Sequence, residues 1–414
     1  MEKIKTFLER WWMVILVLVA LPFFYSIALG NESSVDYLNN GFFTFWLSGR
    51  MNWTGAHPYA SIDWVGGHHA NGAVWIPNQI FPYPLPLALL MAPLGLLNLQ
   101  QAYIVWDVVS QLLIVLCILW LATLWEGSNR RAFAVLVVVA ASLNSNIRLM
   151  LMTGTISALF LVFLVLALFF VEHKQPFLAG VMLSLLALKP PLLTIVALIG
   201  LWLLFRRNGR AIAGIMCGGL GLLVVGLLQD LHWVEKFRGA SENLFNIRLG
   251  NQPTLISYTR LACGGDLSCA LAGYGLAVLV LVGLYAWLVW RRRGTLTPVM
   301  VFSAAIALGV LLPPYIWSYD YALLLIPVCY ICFELVRRRS SFLWATLFLV
   351  VLDVLALGMV TLFGLSPESD ALTIQRDMWS IWVGLFVLAA SWWMVFRAGP
   401  EPAGDAVQVP PLGY

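Results

Sequence analysis

The stretch WWMVILVLVALPFFYSIAL, Trp11 to Leu29, decides the fold class of this chain. It carries no charged residue, and a membrane-spanning helix needs about 20 predominantly apolar residues. Lys3, Lys5 and Arg10 precede it, and its apolar run exceeds the core of a cleavable signal peptide. We therefore predict an uncleaved membrane anchor.

The rest of the chain has the same character. Of its 414 residues, 61% are hydrophobic and 11% charged, whereas an ordinary soluble domain has about 25% charged residues. This composition excludes a soluble globular protein and a disordered chain. With 24 basic and 20 acidic residues the net charge is only +4, which argues against a nucleic-acid-binding protein. We therefore expect most of the chain to lie in a lipid bilayer.

We expect an all-α polytopic membrane protein with about 12 transmembrane helices. Residues 1–399 would form a single integral membrane domain, and residues 400–414, which are rich in proline, a disordered cytoplasmic tail. The predicted spans start near Trp11, Gln101, Arg131, Ile156, Pro176, Pro190, Ala211, Leu271, Leu296, Tyr321, Phe342 and Trp379.

The apolar segment Phe81 to Leu97 decides the topology, because counting it as a span reverses every later connection. If it is re-entrant or interfacial, 16 of the 24 basic residues lie on one side of the membrane. The positive-inside rule makes that side cytoplasmic. Both termini are then cytoplasmic, and two long loops, residues 30–97 and 229–270, face outward.

The first outward loop places an acid just after the first span. Beyond Asp36, apolar residues at helical spacing predict a helix that lies on the membrane surface. Asp36 would open this helix, either as an N-cap or as a carboxylate facing a lipid-borne substrate. The stripe comprises Leu38, Phe42, Phe45, Trp46 and Gly49.

Two cations lie where apolar sequence surrounds them. Lys189, in LSLLALKPP, is expected at the outer interface or in a cavity, where its ammonium suits a phosphate; snorkelling is the alternative. Arg148, between the third and fourth predicted spans, has the same two interpretations. Arg248 and Arg260 in the second outward loop share this ambiguity.

The segment LLPPYIWSYDYALLLIP joins the ninth and tenth predicted spans. Trp317 and Tyr319 fit the aromatic belt of a membrane interface. Asp320 is either an exposed loop acid or a carboxylate turned toward an outer cavity. Asp107 and Asp353 are interpreted as polar residues that pack helices.

Cysteine and histidine spacing predicts little metal chemistry. Cys263 and Cys269 lie in a polar outward loop and could close a small disulfide loop in an oxidising compartment. His57, His68 and His69 have no fourth ligand at a fixed spacing, so no metal site is predicted. No cofactor is expected, and the dependence on a metal stays open.

Several motifs in this order resemble the polyprenyl-phosphate-sugar-dependent glycosyltransferases of the GT-C superfamily, and within it glycosyltransferase family 87. The resemblance covers Asp36 to about Pro327. Its elements are the acid after the first span, a GxxPY turn, a YPxP segment leading to APLGLL, an LKP stretch and a late proline–tryptophan turn. They lie at Asp36, Gly55 to Tyr59, Tyr83 to Leu97, Lys189 to Pro190, and Pro314 to Tyr321.

The resemblance implies an inverting hexosyltransferase in the plasma membrane, with its active site on the outer side. It would move a sugar, with mannose expected, from a polyprenyl-phosphate donor to an outer-face glycolipid, glycan or glycoprotein. Asp36 would be the general base, and Lys189 and Arg148 would bind the donor phosphate. Tyr59, Tyr83, Trp317, Tyr319 and Asp320 would line the substrate cavity.

Two positions depart from the family pattern. A GQxN-like motif is replaced by GTIS at Gly154 to Ser157, and Ser318 to Asp320 stand where a histidine is common. A histidine contact to the donor phosphate is therefore not carried over. An inactive relative is one alternative to the enzyme, and a lipid-linked-oligosaccharide flippase is another, although no internal repeat supports a transporter.

Overall fold

The computed structural model describes residues 38, 41–73, 76, 80–124, 130–239, 252–339, 342–363 and 370–397. Regular structure within these residues is helical. The α-helices are α1 Gly41–Thr54, α2 Ser61–Ala70, α3 Leu85–Met91, α4 Leu99–Thr123, α5 Arg130–Leu143, α6 Ser145–Met152, α7 Ser157–Glu172, α8 Pro176–Ser184, α9 Leu193–Phe205, α10 Gly209–Gln229, α11 Leu255–Ala262, α12 Leu267–Arg292, α13 Pro298–Gly309, α14 Leu325–Arg339, α15 Phe342–Phe363 and α16 Asp370–Arg397. The 3₁₀ helices are Leu94–Leu96, Leu185–Leu188, Pro190–Leu192 and Ser318–Leu324.

The expected twelve spans are not confirmed. Five described helices are long and apolar enough to cross a membrane, and a pair bent by 63°, Arg131–Leu143 with Ser145–Met152, would make a sixth as one broken span. Other apolar helices reach only 10–17 residues. The first predicted span and the tail at 400–414 lie outside the described residues, so the single-domain assignment stays a prediction.

Breaks inside the apolar stretches account for the shorter helices. The Asn144 side chain accepts hydrogen bonds from the amides of Asn146 and Ile147, which ends α5 and caps a new helix in a new direction. Pro190 disfavours helical backbone at the residue before it, and Lys189 has φ −132° and ψ 89°. Hydropathy along the sequence does not register such breaks.

Helix α1 differs from the expected surface helix. It begins at Gly41, not at Asp36, and Asp36 lies outside the described residues. Its buried side chains point in nearly every direction, so it has no face free to lie against lipid. The buried residues are Phe42, Phe43, Phe45, Trp46, Leu47, Ser48, Gly49 and Met51. The aromatic residues interpreted as a membrane stripe are core residues, because α1 is enclosed by α3, α4 and the 3₁₀ turn after α3.

The segment Phe81 to Leu97 folds into the short helix α3 and the 3₁₀ turn Leu94–Leu96. Its prolines shorten the helix without preventing it, since Pro84 precedes α3 and Pro86 lies in its first turn. The Asn52 side-chain amide donates to the Ala88 carbonyl oxygen at 3.0 Å and ties α3 to α1. The seven-residue α3 is too short to span a bilayer; its re-entrant or interfacial position stays a prediction.

Glycines allow α8 and α10 to pack in close contact. A Cβ at Gly180 would lie 2.1 Å from the Ala211 carbonyl oxygen, and one at Gly214 would lie 2.0 Å from that of Phe177. Gly214 and Gly218 form a GxxxG pattern, which is typical of membrane helices whose backbones touch. Residues later in α8 contact residues later in α10, so the two helices run parallel.

We expect Gly214→Ala to destabilise the protein by about 1–3 kcal/mol, because the new methyl group forces two backbones apart. Gly219→Ala on the same helix is the matched control, since a Cβ there meets nothing within 4 Å. Thermal unfolding of the purified protein in detergent measures both. Equal melting temperatures for the two variants would contradict the packing described here.

Candidate functional site

A buried ion pair joins two breaks of the helical bundle. Lys189 lies between the 3₁₀ helices Leu185–Leu188 and Pro190–Leu192, and Asp320 lies in the 3₁₀ helix Ser318–Leu324. Lys189 Nζ is 2.5 Å from Asp320 Oδ1, and the side chains are 3% and 0% exposed. Because isolated charges are costly away from water, each residue neutralises the other. Asp320 is therefore neither an exposed loop acid nor open to an outer cavity.

Asp320 also accepts hydrogen bonds from two neutral donors. The Ser157 hydroxyl donates to Oδ1 at 2.5 Å, and the Trp317 amide donates to Oδ2 at 3.2 Å. Ser157 is the first residue of α7, so the carboxylate connects three separate parts of the chain. Three donors satisfy this carboxylate, as a buried charge requires.

Trp317 and Tyr319 stack beside this pair. Their ring centroids are 6.1 Å apart with an interplanar angle of 18°, and Lys189 Nζ lies 5.0 Å from the Tyr319 centroid. Both aromatic side chains are partly exposed. Their exposed ring surface is suited to stacking against a sugar, whereas Asp320 and Lys189 lie behind it.

Arg148 lies on α6, which packs against the 3₁₀ helix Ser318–Leu324. Its side chain is partly buried. Within the described part of the chain, Nε has no hydrogen-bond partner and the guanidinium makes no ion pair. Withdrawing such a group from water without a partner is costly, so an anion would be favoured here.

The start of α1 is fastened close to this network. The Phe42 amide donates to the Thr153 carbonyl oxygen at 3.0 Å. Gly154 has φ +58°, and a Cβ there would lie 2.6 Å from that of Phe42. Glycine is favoured at this position both by its backbone conformation and by the close approach. The N-terminal end of α1 thus lies next to the loop that leads to Ser157.

Tyr59 and Tyr83 are brought together, but not at the ion pair. The Tyr59 hydroxyl donates to the Tyr83 carbonyl oxygen at 2.5 Å, and Tyr59 is buried. Tyr59 follows the C-terminal end of the 14-residue α1, whereas the Tyr83 ring centroid lies 5.1 Å from that of Phe45, in the first half of the helix. Burial, and then the charge of Asp230, raises the pKa of Tyr59, so its phenol stays protonated.

A histidine–carboxylate–lysine cluster links the segment that follows α1 to the segment that follows α10. Asp230 Oδ2 lies 3.2 Å from His57 Nε2 and 2.7 Å from Lys236 Nζ. The Tyr59 amide donates to His57 Nδ1 at 3.1 Å, so Nδ1 is unprotonated and the ring proton is on Nε2. Burial and the charge of Lys236 lower the pKa of His57 more than Asp230 and Asp63 raise it.

This cluster predicts a loss of local stability in acid. Because the folded-state pKa of His57 lies below the ordinary 6.5, its contribution is present above pH 6.5 and is lost as the pH falls toward the folded-state pKa. After correction for intrinsic rates, the Tyr59 amide should exchange hydrogen faster at pH 5.5 than at pH 7.5. His57→Asn, which keeps an acceptor without a titrating ring, should abolish this difference. An unchanged difference in that variant would contradict the assignment.

Cys263 and Cys269 are joined by a disulfide, with their Sγ atoms 1.96 Å apart. It links the end of α11 to the first turn of α12. The segment before α11 reaches the ion-pair region, because the Tyr321 hydroxyl donates to the Pro253 carbonyl oxygen at 2.7 Å. Arg248 lies outside the described residues.

Two further acids of the apolar helices have amide partners. Asp107 Oδ2 accepts a hydrogen bond from the Gln111 amide at 2.6 Å, and Asp353 Oδ1 accepts one from Asn144 at 3.1 Å. The second contact ties α15 to the break between α5 and α6. Both are consistent with helix-packing roles.

Sequence reasoning missed Ser157, Asn144 and the pairing of His57 with Asp230. A lysine and an aspartate 131 positions apart give no local signal of contact. One sequence feature could have indicated this contact. Lys189 and Asp320 have opposite charges, and each lies beside proline or aromatic residues that interrupt an apolar stretch.

The family model described as Glycosyltransferase family 87 matches residues 81–314, which include Arg148, Ser157 and Lys189 and end just before Trp317. No curated protein and no solved structure matches the chain significantly. The match covers more than half of the 414 residues and confirms the resemblance described above. The chain therefore belongs to glycosyltransferase family 87, and its activity class is that of a glycosyltransferase.

Proposed function

We propose that this protein is an inverting glycosyltransferase that moves mannose from a polyprenyl-phosphate donor to an outer-face glycolipid, glycan or glycoprotein. The observation that carries the proposal is the meeting of three helix breaks at the Lys189–Asp320–Ser157 network, against which α6 packs; α6 carries Arg148, whose Nε has no hydrogen-bond partner among the described residues. Irregular backbone among apolar helices occurs where it lines a site or is enclosed by protein. Family membership favours this reaction over the flippase alternative.

Arg148 is the proposed direct contact to the donor phosphate. A guanidinium binds phosphate oxygens through two parallel hydrogen bonds, and this one makes no ion pair within the described residues. Lys189 has its ammonium 2.5 Å from Asp320, so a direct contact from Lys189 would require that pair to open. In the proposed site Lys189 adds positive charge from behind and holds Asp320 and the Tyr319 ring in place.

The aromatic pair Trp317 and Tyr319 is the proposed sugar platform. Its stacked rings flank the network from its exposed side, and aromatic faces pack well on the C–H faces of sugars. Asp320 positions this platform through the Trp317 amide. Tyr59 and Tyr83, which are joined by the hydrogen bond from the Tyr59 hydroxyl, are proposed to border the cavity on the acceptor side.

Asp36 is the proposed general base. Gly41 is five positions further along the chain, a distance that spans at most about 17 Å. Gly41 packs against Thr153 and Thr155, two to four residues before Ser157. The carboxylate is therefore within reach of the network by chain length.

The proposed reaction is a single displacement. The acceptor hydroxyl oxygen forms a bond to the anomeric carbon, and its proton passes to Asp36. The bond from that carbon to the phosphate oxygen breaks, and polyprenyl phosphate leaves with the electron pair. Arg148 stabilises the charge that develops on the phosphate, and attack from the opposite face inverts the anomeric centre.

The proposed location is the plasma membrane, with both termini cytoplasmic and the site outward. Purified protein incubated with radiolabelled polyprenyl-phosphate-mannose and membrane glycolipids tests donor and reaction together. Transfer with inverted configuration is expected. Transfer from another polyprenyl-phosphate sugar alone would correct the donor, and no transfer from any of them would contradict the enzyme proposal.

Arg148→Gln is expected to raise the KM for the donor about 10- to 100-fold, because a charge-assisted hydrogen-bonding pair is lost. The acceptor KM should change little. Arg148→Lys is the matched variant, since it keeps the charge and loses the two parallel hydrogen bonds. Its donor KM should lie between those of the wild type and Arg148→Gln. Equal changes in donor and acceptor KM would assign Arg148 a structural role instead.

A further inference from the structure

One face of the bundle collects arginines from three helix ends that are distant in sequence. The Arg206 guanidinium donates to the Arg293 carbonyl oxygen at 3.4 Å, and that of Arg292 donates to the Phe396 carbonyl oxygen at 3.1 Å. These contacts bring together the C-terminal ends of α9, α12 and α16. We call this the arginine face; its exposed cations are Arg206, Arg207, Arg210, Arg291, Arg293 and Arg397.

The described acidic residues do not balance the charge of the arginine face. Within the described part of the chain, none of these six arginines forms an ion pair with an acidic residue. Arginine at a single helix C-terminus is explained by the helix dipole. Six arginines gathered from these three C-terminal ends and from the first turn of α10 repel one another, and a bound anion would lower that repulsion.

Tryptophans support the guanidinium groups from the apolar side. Arg206 lies 5.8 Å from the Trp202 ring centroid, Arg291 lies 5.2 Å from that of Trp287, and Arg397 lies 4.4 Å from that of Trp393. Trp287 and Trp393 are each 43% exposed. Trp202 is buried, and its Nε1 has no hydrogen-bond partner among the described residues.

Tryptophan on the apolar side with arginine on the polar side is the arrangement found at the level of lipid head groups. The exposed apolar surfaces of α10 and α12 end at this face, so acyl chains can lie along them while the head group reaches the arginines. Clusters of four to eight basic residues at the cytoplasmic ends of spans are typical of sites for anionic lipids. A soluble anion would use the guanidinium groups and gain nothing from the apolar helices.

We propose that the arginine face binds the phosphate head group of an anionic phospholipid, with the acyl chains on α10 and α12. The occupant is a membrane lipid and not the sugar donor, and the inference does not depend on the transferase reaction. It adds a lipid site at the helix ends opposite to those near the Lys189–Asp320 pair.

Native mass spectrometry of the full-length protein, titrated with phosphatidylglycerol or phosphatidylcholine of equal acyl chains, tests the proposal. We expect phosphatidylglycerol to bind at least tenfold more tightly. Arg293→Gln/Arg397→Gln, whose side chains make no hydrogen bond within the described residues, should weaken phosphatidylglycerol binding about tenfold. Arg50→Gln/Arg238→Gln removes the same charge from the outward segments and should leave binding unchanged.

Equal affinity for the two lipids, or equal losses in the two double variants, would overturn the proposal. Displacement of phosphatidylglycerol by an equal concentration of inorganic phosphate would assign the face to a soluble anion and also overturn it. If the first variant fails to fold, salt titration of the wild-type protein decides: phosphatidylglycerol binding should weaken with ionic strength and phosphatidylcholine binding should not.

Discussion

Lys189→Ala is expected to lower the free energy of unfolding by about 3–5 kcal/mol, because it leaves the Asp320 carboxylate buried without its counter-charge. The carboxylate is 0% exposed and would keep only the Ser157 hydroxyl and the Trp317 amide as donors. Thermal unfolding in detergent, followed by tryptophan fluorescence, measures the effect. A surface lysine of the same length, Lys174, provides the control as Lys174→Ala.

The double variant Lys189→Met/Asp320→Leu separates charge from packing. Replacing both members of a buried pair by apolar residues of similar size is often neutral or stabilising, so this variant should recover most of the lost stability. It should not recover transfer, since the Trp317 amide then loses its acceptor and the aromatic platform is no longer held. A single Lys189→Ala variant as stable as the wild type would show that the pair does not persist in the protein.

Asp36→Asn is expected to reduce the rate of transfer by about 100- to 10,000-fold, the range contributed by a positioned general base. Asparagine keeps the shape and hydrogen-bonding capacity of the side chain but cannot accept the hydroxyl proton. Donor binding should be unchanged, because the phosphate contact belongs to Arg148. The measurement is initial-rate transfer from labelled polyprenyl-phosphate-mannose, with donor binding measured separately.

Asp63→Asn is the matched control for Asp36. Asp63 lies in the same segment between the first two predicted spans, and its Oδ2 accepts a hydrogen bond from the His57 amide at 2.8 Å, which asparagine can also accept. Transfer should therefore survive this change. Full activity of a well-folded Asp36→Asn protein would remove Asp36 from the mechanism while leaving the family assignment intact.

Much of the helical framework was predictable from the sequence. Apart from α6 and α11, which lie in predicted connections, the described helices from α4 to α16 lie where apolar runs predict them, because burial in lipid depends on local composition. The lengths of the helices were not predictable from local composition. Asn144 and Pro190 end helices through a side-chain cap and a missing amide donor, and neither changes the mean hydropathy of its surroundings enough to shorten a predicted span.

The site was only partly predictable. Lys189, Arg148 and Asp320 were singled out because ionisable groups in apolar surroundings are costly. The pairing of Lys189 with Asp320 was not visible in the sequence. The residues next to Asp320 do not show whether its carboxylate is exposed, open to a cavity or paired. Helix α1 shows the same limit: its aromatic spacing fits a membrane surface, and only its neighbours show that it is enclosed.

The sequence by itself determined an all-helical membrane chain, its family and the identity of the unusual charges, because these depend on composition and on short motifs. Only the tertiary structure decided that Lys189 and Asp320 neutralise each other while Arg148 makes no ion pair in the described part of the chain. The same holds for the arginines of four helices that form one face. Contacts between residues more than a hundred positions apart depend on how helices pack, and that packing is a property of the whole bundle.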